Sequence, residues 1–192
     1  AASDVYKRQD IAVALENCQF NTAIETIRNF TWHLFCDFYI EAVKHRLYRP
    51  EEYGEKKRKA AQFTLYTAIY RILQLLAPIA PHMAEEIYQH MYVEDMKFKS
   101  VHITSWPALE AERIDDEAEK YGNLVMAAIG SIRKEKGESK IPLNAPIKKL
   151  TIYGGSKKGA HVLEMAEEDI VGTLKAEKIE ILPEKGEGKE VE

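Results

Sequence analysis

A chain of 192 residues, 45% hydrophobic and 30% charged, is long and apolar enough to bury a core, which excludes a disordered or collagen-like polypeptide. Its formal charge of -4, from 27 basic and 31 acidic residues, excludes a global basic field, so a polyanion could be met only by a local patch. The longest apolar run, Ile72 to Ala80, is interrupted by Gln74 and Pro78 and falls short of the ~18 residues a membrane span needs.

Along the chain, Asp4-Val-Tyr-Lys-Arg-Gln9 resembles the translated end of a transposase adapter, so residues 1–9 are expected to be a non-native leader before the C-terminal part of a longer protein. Asp10 to Glu16 reads as a short helical run. Asn21, the expected N-cap, opens a longer helix reaching Tyr48, about 40 Å at 1.5 Å per residue. It carries two apolar stripes, one through Ile24, Ile27, Leu34 and Phe38 and one through Trp32, Phe35, Tyr39, Val43 and Leu47, as a helix buried on two sides does. Pro50 ends it.

From about Glu55, Ala61, Leu65, Ala68, Ile72 and Leu75 recur at intervals of four and three, the stripe of a bundle helix. Pro78 stops this helix and Pro81 opens the next, where Glu85 and Glu86 are expected in the first turn. From Phe20 to Met91 the expectation is an antiparallel helical bundle with Trp32, Phe35, Tyr39, Leu65, Ile72 and Leu76 inside. Val101 to Pro107 reads as extended chain, and the acidic stretch Glu110 to Glu119 leads into a helix bearing Tyr121, Leu124, Val125, Ala128 and Ile132, with Gly137 as its cap. The period then changes to two, so Ile147 to Tyr153 and Lys178 to Leu182 read as strands with a helix between them over His161 to Ile170. The expected class is mainly α, a helical bundle over 10–108 with a helix and small α/β subdomain over 109–183. The charged tail, 184–192, is expected to fray.

The histidines and carboxylates do not assemble into a metal motif. His33, Cys36 and Asp37, and His82, Glu85, Glu86 and His90, match neither a zincin nor a di-iron pattern, so no metal and no catalytic group is expected. Asp37 and Glu41 read as members of an interhelical ion pair, with Arg71 as the expected cation. Gly154-Gly155 reads as lacking the lysine and helix of a phosphate loop. Cys18 and Cys36 have no Cys-x-x-Cys spacing, which fits a reducing, cytoplasmic compartment.

The basic clusters carry more. Lys44, Arg46, Arg49, Lys56, Lys57, Arg58 and Lys59 oppose Glu51, Glu52 and Glu55, with His45, Tyr48 and Tyr53 interleaved. Arg133, Lys134, Lys136, Lys140, Lys148 and Lys149 oppose Glu135 and Glu138. Each cluster has an excess of four positive charges. Cations beside stackable rings suit single-stranded RNA, since phosphates supply affinity and bases stack on aromatics. The candidate contacts are therefore Lys44, His45, Arg46, Arg49, Lys56, Lys57 and Arg58, with Arg133, Lys134, Lys136 and Lys140 as a second patch. A solvated helix end is the alternative.

Four segments, in order, resemble the C-terminal region of the valyl-tRNA synthetase family, its archaeal-like group in particular. Trp32-His-Leu-Phe-Cys-Asp-Phe-Tyr-Ile-Glu-Ala-Val-Lys44 is similar to the signature of the class I anticodon-binding bundle, in the form that favours valine enzymes. Leu75-Leu-Ala-Pro-Ile-Ala-Pro-His-Met-Ala-Glu-Glu-Ile87 resembles a second segment, which marks the group rather than its amino acid. Ser100 to Pro107 and Ile141 to Ile147 resemble two more. The resemblance covers roughly Asp10 to Leu182 and implies an anticodon-binding bundle with valine tRNA as partner, serving ATP-dependent attachment of valine in a parent enzyme. Neither a His-Ile-Gly-His nor a Lys-Met-Ser-Lys-Ser type signature occurs. The resemblance therefore implies no cofactor and no catalysis here, with ATP, Mg and the catalytic domain belonging to the parent chain. A monomer is expected. The rival readings are the equivalent domain of an isoleucyl- or leucyl-tRNA synthetase and a stand-alone helical module binding RNA or protein.

Overall fold

The computed structural model describes residues 2–107 and 115–184, with side chains from residue 9 onward. The acidic residues 110–114 and the tail beyond Glu184 lie outside the described residues. The chain divides into two compact units, one of Ala1–Ile40 with Arg49–Asp116 and one of Glu41–Tyr48 with Glu117–Glu192.

The first unit is helical. Helices α1 (Ala2–Glu16) and α2 (Phe20–Arg28) are followed by a π-helix over Asn29–Ile40. After Tyr48 the unit resumes with the single turn α4 (Pro50–Tyr53), α5 (Glu55–Leu76), α6 (Pro81–Met91) and a 3-10 turn over Val101–Ile103. Helix α1 thus starts well before Asp10, and α2 opens after Gln19 with no side-chain cap, so Asn21 is not the N-cap. Pro81 opens α6 as its placement predicts, and Pro50, expected only to end the preceding helix, also opens α4, where the missing N–H costs nothing.

The largest departure lies in the π-helix over Asn29–Ile40. Ile11, Ala14, Ala23, Ile27 and Leu75 form a core beneath α1, α2 and α5; of the predicted stripe only Ile27 joins it, since Ile24 and Leu34 are each 41% exposed. Beyond Arg28 the chain takes i→i+5 hydrogen bonding, whose wider turn no longer returns residues three and four apart to one face. Phe35 stays buried and stacks on Tyr39 at 6.0 Å, but Trp32 is 63% exposed. The inward placement of Trp32 is corrected accordingly. Trp32→Ala should change stability by less than about 0.5 kcal/mol, as surface substitutions do, in a urea melt of the whole chain. A loss of about 3 kcal/mol would put the ring in a core.

Helix α5 joins two cores. Leu75 packs with α1 and α2, whereas Leu73 joins Ala77, Ala84, Tyr88, Tyr92 and Val101 in a second cluster with α6 and the 3-10 turn. Gln74 is buried between them and tolerated because its amide donates to Thr104 Oγ1 at 3.1 Å and to the Ser105 carbonyl at 2.9 Å. Glu85 and Glu86 lie past the first turn of α6. Glu85 instead accepts from Ser100 Oγ and the Val101 N–H, which anchors the 3-10 turn in place of the expected extended chain.

The second unit consists of α3 (Glu41–Tyr48), α7 (Asp116–Glu138), β1 (Leu150–Tyr153), α8 (Lys157–Met165), α9 (Glu167–Leu174) and β2 (Ile179–Leu182). The strands pair in parallel, Leu150 with Ile179 through Tyr153 with Leu182, and the intervening pair of helices supplies the crossover that parallel strands require. Leu150, Ile152, Leu163, Ile170 and Leu174 close over Ile129 of α7. Helix α7 runs through Gly137 rather than ending on it, and Lys140 takes the left-handed conformation at φ 54°. Gly154 is indispensable for a different reason from phosphate binding: a Cβ there would lie 2.3 Å from the Ala160 nitrogen, so β1 and α8 meet backbone to backbone. No helix among the described residues is long and apolar enough to cross a membrane.

Candidate nucleic-acid interface

In the first unit the cations gather around one tight turn. Gly54, at φ +93°, ends α4 and begins α5, a conformation that favours glycine. The reversal places Arg49, Lys56, Lys57 and Lys59 at an exposed end, with Arg58 half-buried. Arg49 reaches Glu52 at 3.0 Å and lies 5.4 Å from the centre of the Tyr53 ring, so its guanidinium is both paired and stacked. Arg58 pairs with Glu55 at 3.1 Å. Lys56 and Lys59 have no carboxylate partner among the described residues. Exposed pairs of this kind contribute little to stability and exchange readily for a phosphate.

In the second unit the predicted cations divide. Lys44 bonds Glu41 on its own helix, and Arg133 of α7 lies 4.0 Å from the same carboxylate. Glu41 is therefore met by Lys44 and Arg133, while in the first unit Arg71 donates to Gln74 at 3.0 Å and Asp37 pairs with His33 at 3.2 Å. Lys134 faces solvent beside Glu138 at 3.8 Å. Lys140 is exposed and has no carboxylate partner among the described residues.

His45 and Arg46 turn toward α9 instead of solvent. Arg46 grips Asp169 through two bonds, the Nε one 2.8 Å long, and His45 Nε2 lies 3.1 Å from the same carboxylate with its side chain 1% exposed. Burial pushes the Asp169 carboxyl up, but bonds from His45 and Arg46 and the Arg46 charge outweigh it and hold it below the ordinary aspartate range. Glu168 brings a second carboxylate, and one possible metal-ligand atom from each of His45, Glu168 and Asp169 lies within 4.8 Å of the others. The Arg46 guanidinium already supplies the neutralising cation there. His45, expected to face RNA, is thus packed against α9 with its side chain withdrawn from solvent.

Lys136, expected in the second patch, is likewise turned inward. It is only 6% exposed, and its ammonium donates to the carbonyls of Leu143, Ala145 and Leu174 at 3.4, 2.6 and 3.4 Å. Burial, and then the charge of Lys175, push it below the usual lysine range. No local pattern in the sequence could have revealed this, because all three partners are contributed by segments beyond its own helix. Of the predicted cations, Arg49, Lys56, Lys57 and Lys59 in one unit and Lys44, Lys134 and Lys140 in the other are exposed, whereas Arg58 and Arg133 are half-buried.

Residues 8–152 match the family described as the anticodon-binding domain of tRNA ligase. Over 173 residues, 90% of the chain, it is 42% identical to the valine-tRNA ligase of Pyrococcus furiosus. Over 178 residues, 93% of the chain, it is 40% identical to that of Methanothermobacter thermautotrophicus. Each match spans 19% of the relative, so the chain corresponds to about a fifth of those proteins.

Proposed function

The chain belongs to the family of anticodon-binding domains of tRNA ligases, and from that premise we propose that it binds the anticodon stem-loop of valine tRNA. The observation that carries the choice of tRNA is the 42% identity, over 90% of the chain, with an archaeal valine-tRNA ligase. Exposed cations around the Gly54 turn neutralise phosphates, and Tyr48, 77% exposed, offers a ring to an unstacked base. Orientation of the tRNA is the contribution of this chain to aminoacylation. Activation of valine with ATP and Mg falls to the catalytic domain of a longer, cytoplasmic ligase, and the chain itself acts as a monomer.

An electrophoretic titration with valine, isoleucine and leucine tRNA transcripts tests this reading. Valine tRNA should bind best, and binding should weaken steeply with salt. Lys56→Ala with Lys57→Ala should lower the magnitude of the slope of log Kobs against log salt by roughly 0.7 to 0.9 per lost phosphate contact. Unchanged affinity and slope in the double variant would make the turn a solvated surface only. A preference for isoleucine or leucine tRNA would overturn the valine assignment.

A further inference from the structure

We propose that the loop from Ser139 to Asn144 is an RNA-contact element of the second unit and that Lys136 is the residue that positions it. The proposal rests on the tRNA reading above.

The loop is built for display. Every side chain from Ser139 to Asn144 is exposed, and Ile141 and Leu143 show 47% and 48% of their surface. A segment with no side chain in a core has no hydrophobic reason to hold one shape. Its backbone is nevertheless fastened. Ile141 N–H donates to the Lys136 carbonyl at 2.8 Å, Lys140 N–H to Gly137 at 3.0 Å and Ala145 N–H to Pro142 at 2.9 Å.

Beneath it, the Lys136 ammonium satisfies the carbonyls of Leu143 and Ala145 together with that of Leu174, the last residue of α9. Three N–H donors meet three acceptors, so a buried cation stands in for the core the loop lacks. The result is a surface loop whose ordering cost is met by folding rather than by binding, which is how a contact loop gains affinity.

The displayed chemistry selects the partner. Lys140, and Lys148 beyond the loop, have no carboxylate partner among the described residues, whereas the neighbouring Lys134 and Lys149 are paired with Glu138 and Glu180. Unpaired cations flanking exposed apolar atoms match a strand that offers phosphates and base faces together.

The test uses the full chain and a valine tRNA transcript. Lys140→Ala should weaken binding about 3- to 10-fold, the range of one charged contact, and lower the magnitude of the salt slope by about 0.7. Lys136→Met, still melting cooperatively, should weaken binding by a similar factor although its ammonium touches no RNA. Adding Lys140→Ala to Lys136→Met should then produce no further loss, the non-additivity expected when one residue acts through the other. In the wild-type chain the amides of Ile141, Leu143 and Asn144 should gain hydrogen-exchange protection when tRNA is added. A folded Lys136→Met with wild-type affinity overturns the positioning role, and unprotected loop amides in a wild-type complex overturn the contact. If Lys136→Met does not fold, the exchange result and Lys140→Ala decide. A wild-type chain that binds no tRNA overturns the reading on which both rest, whereas one that binds with the loop unprotected overturns only this proposal.

Discussion

Tyr88→Ala is expected to cost about 3 to 5 kcal/mol, the range for deleting a buried aromatic ring. Tyr88 is 0% exposed, and its ring lies 6.1 Å from Tyr92 and 6.3 Å from Tyr70, within a group that also brings Tyr66 to 4.5 Å from Tyr92. Its hydroxyl donates to the Phe98 carbonyl at 2.6 Å, so truncation both opens a cavity and leaves a carbonyl unpaired. Tyr88→Phe separates the two effects and should cost only about 0.5 to 1.5 kcal/mol. Urea melts followed by near-ultraviolet circular dichroism, which reports the tyrosines, are the measurement. Equal costs for the two variants would show that the hydroxyl bond, not ring packing, holds the cluster.

The same group gives an alkaline limb. Burial, then the bond to Asp95, push the Tyr66 phenol up to about 12, and Tyr92 is raised further by burial. A folded-state value above the unfolded one means stability that is complete below about pH 10 and lost as pH rises through the folded value.

Asp169→Ala is expected to destabilise the second unit by about 2 to 3 kcal/mol, below the full cost of breaking a buried pair because the partners are only partly buried. Asp169 and Arg46 side chains are each 27% exposed, whereas His45 is 1% exposed. The variant strands two partners on α3 and releases α9 from them. The site cannot relax by sliding, since a Cβ on Gly172 would lie 2.5 Å from the His45 ring; that ring rests directly on the α9 backbone.

The pH dependence has a definite sign. The Asp169 carboxyl is held below its ordinary value, so the stability it contributes is present above about pH 3.9 and is lost as pH falls through the folded value. In the wild-type chain, stability should therefore decline below about pH 4, and Asp169→Asn should flatten that decline. Urea unfolding at neutral and acidic pH measures it. An acid limb identical in Asp169→Asn would assign the loss to other carboxylates.

Much of the fold was legible in the linear order of residues because its causes are local. Pro50, Pro78 and Pro81 punctuate the helices through missing N–H groups, and the four-and-three spacing from Ala61 to Leu75 identifies α5 without reference to any neighbour. The change from helical period to alternation near Ile147 announced the strands that pair as Leu150 to Ile179. Four ordered segments identified the anticodon-binding family in the same way, since a family signature is itself a linear pattern.

What escaped was decided at a distance. Trp32 faces outward because the chain from Asn29 to Ile40 winds with π hydrogen bonding, a choice that α-helical spacing cannot anticipate. Charge counts treated every cation alike, yet Arg46 meets a carboxylate 123 residues away, and Lys136 is drawn inward by carbonyls from the loop and from α9. A cation's fate depends on which acceptors folding brings beside it, and burial is tolerated only where those acceptors complete its hydrogen bonds. The sequence could count the candidates at this interface; tertiary packing separated the exposed cations, Lys56, Lys57 and Lys140 among them, from His45 and Lys136, which hold the second unit together.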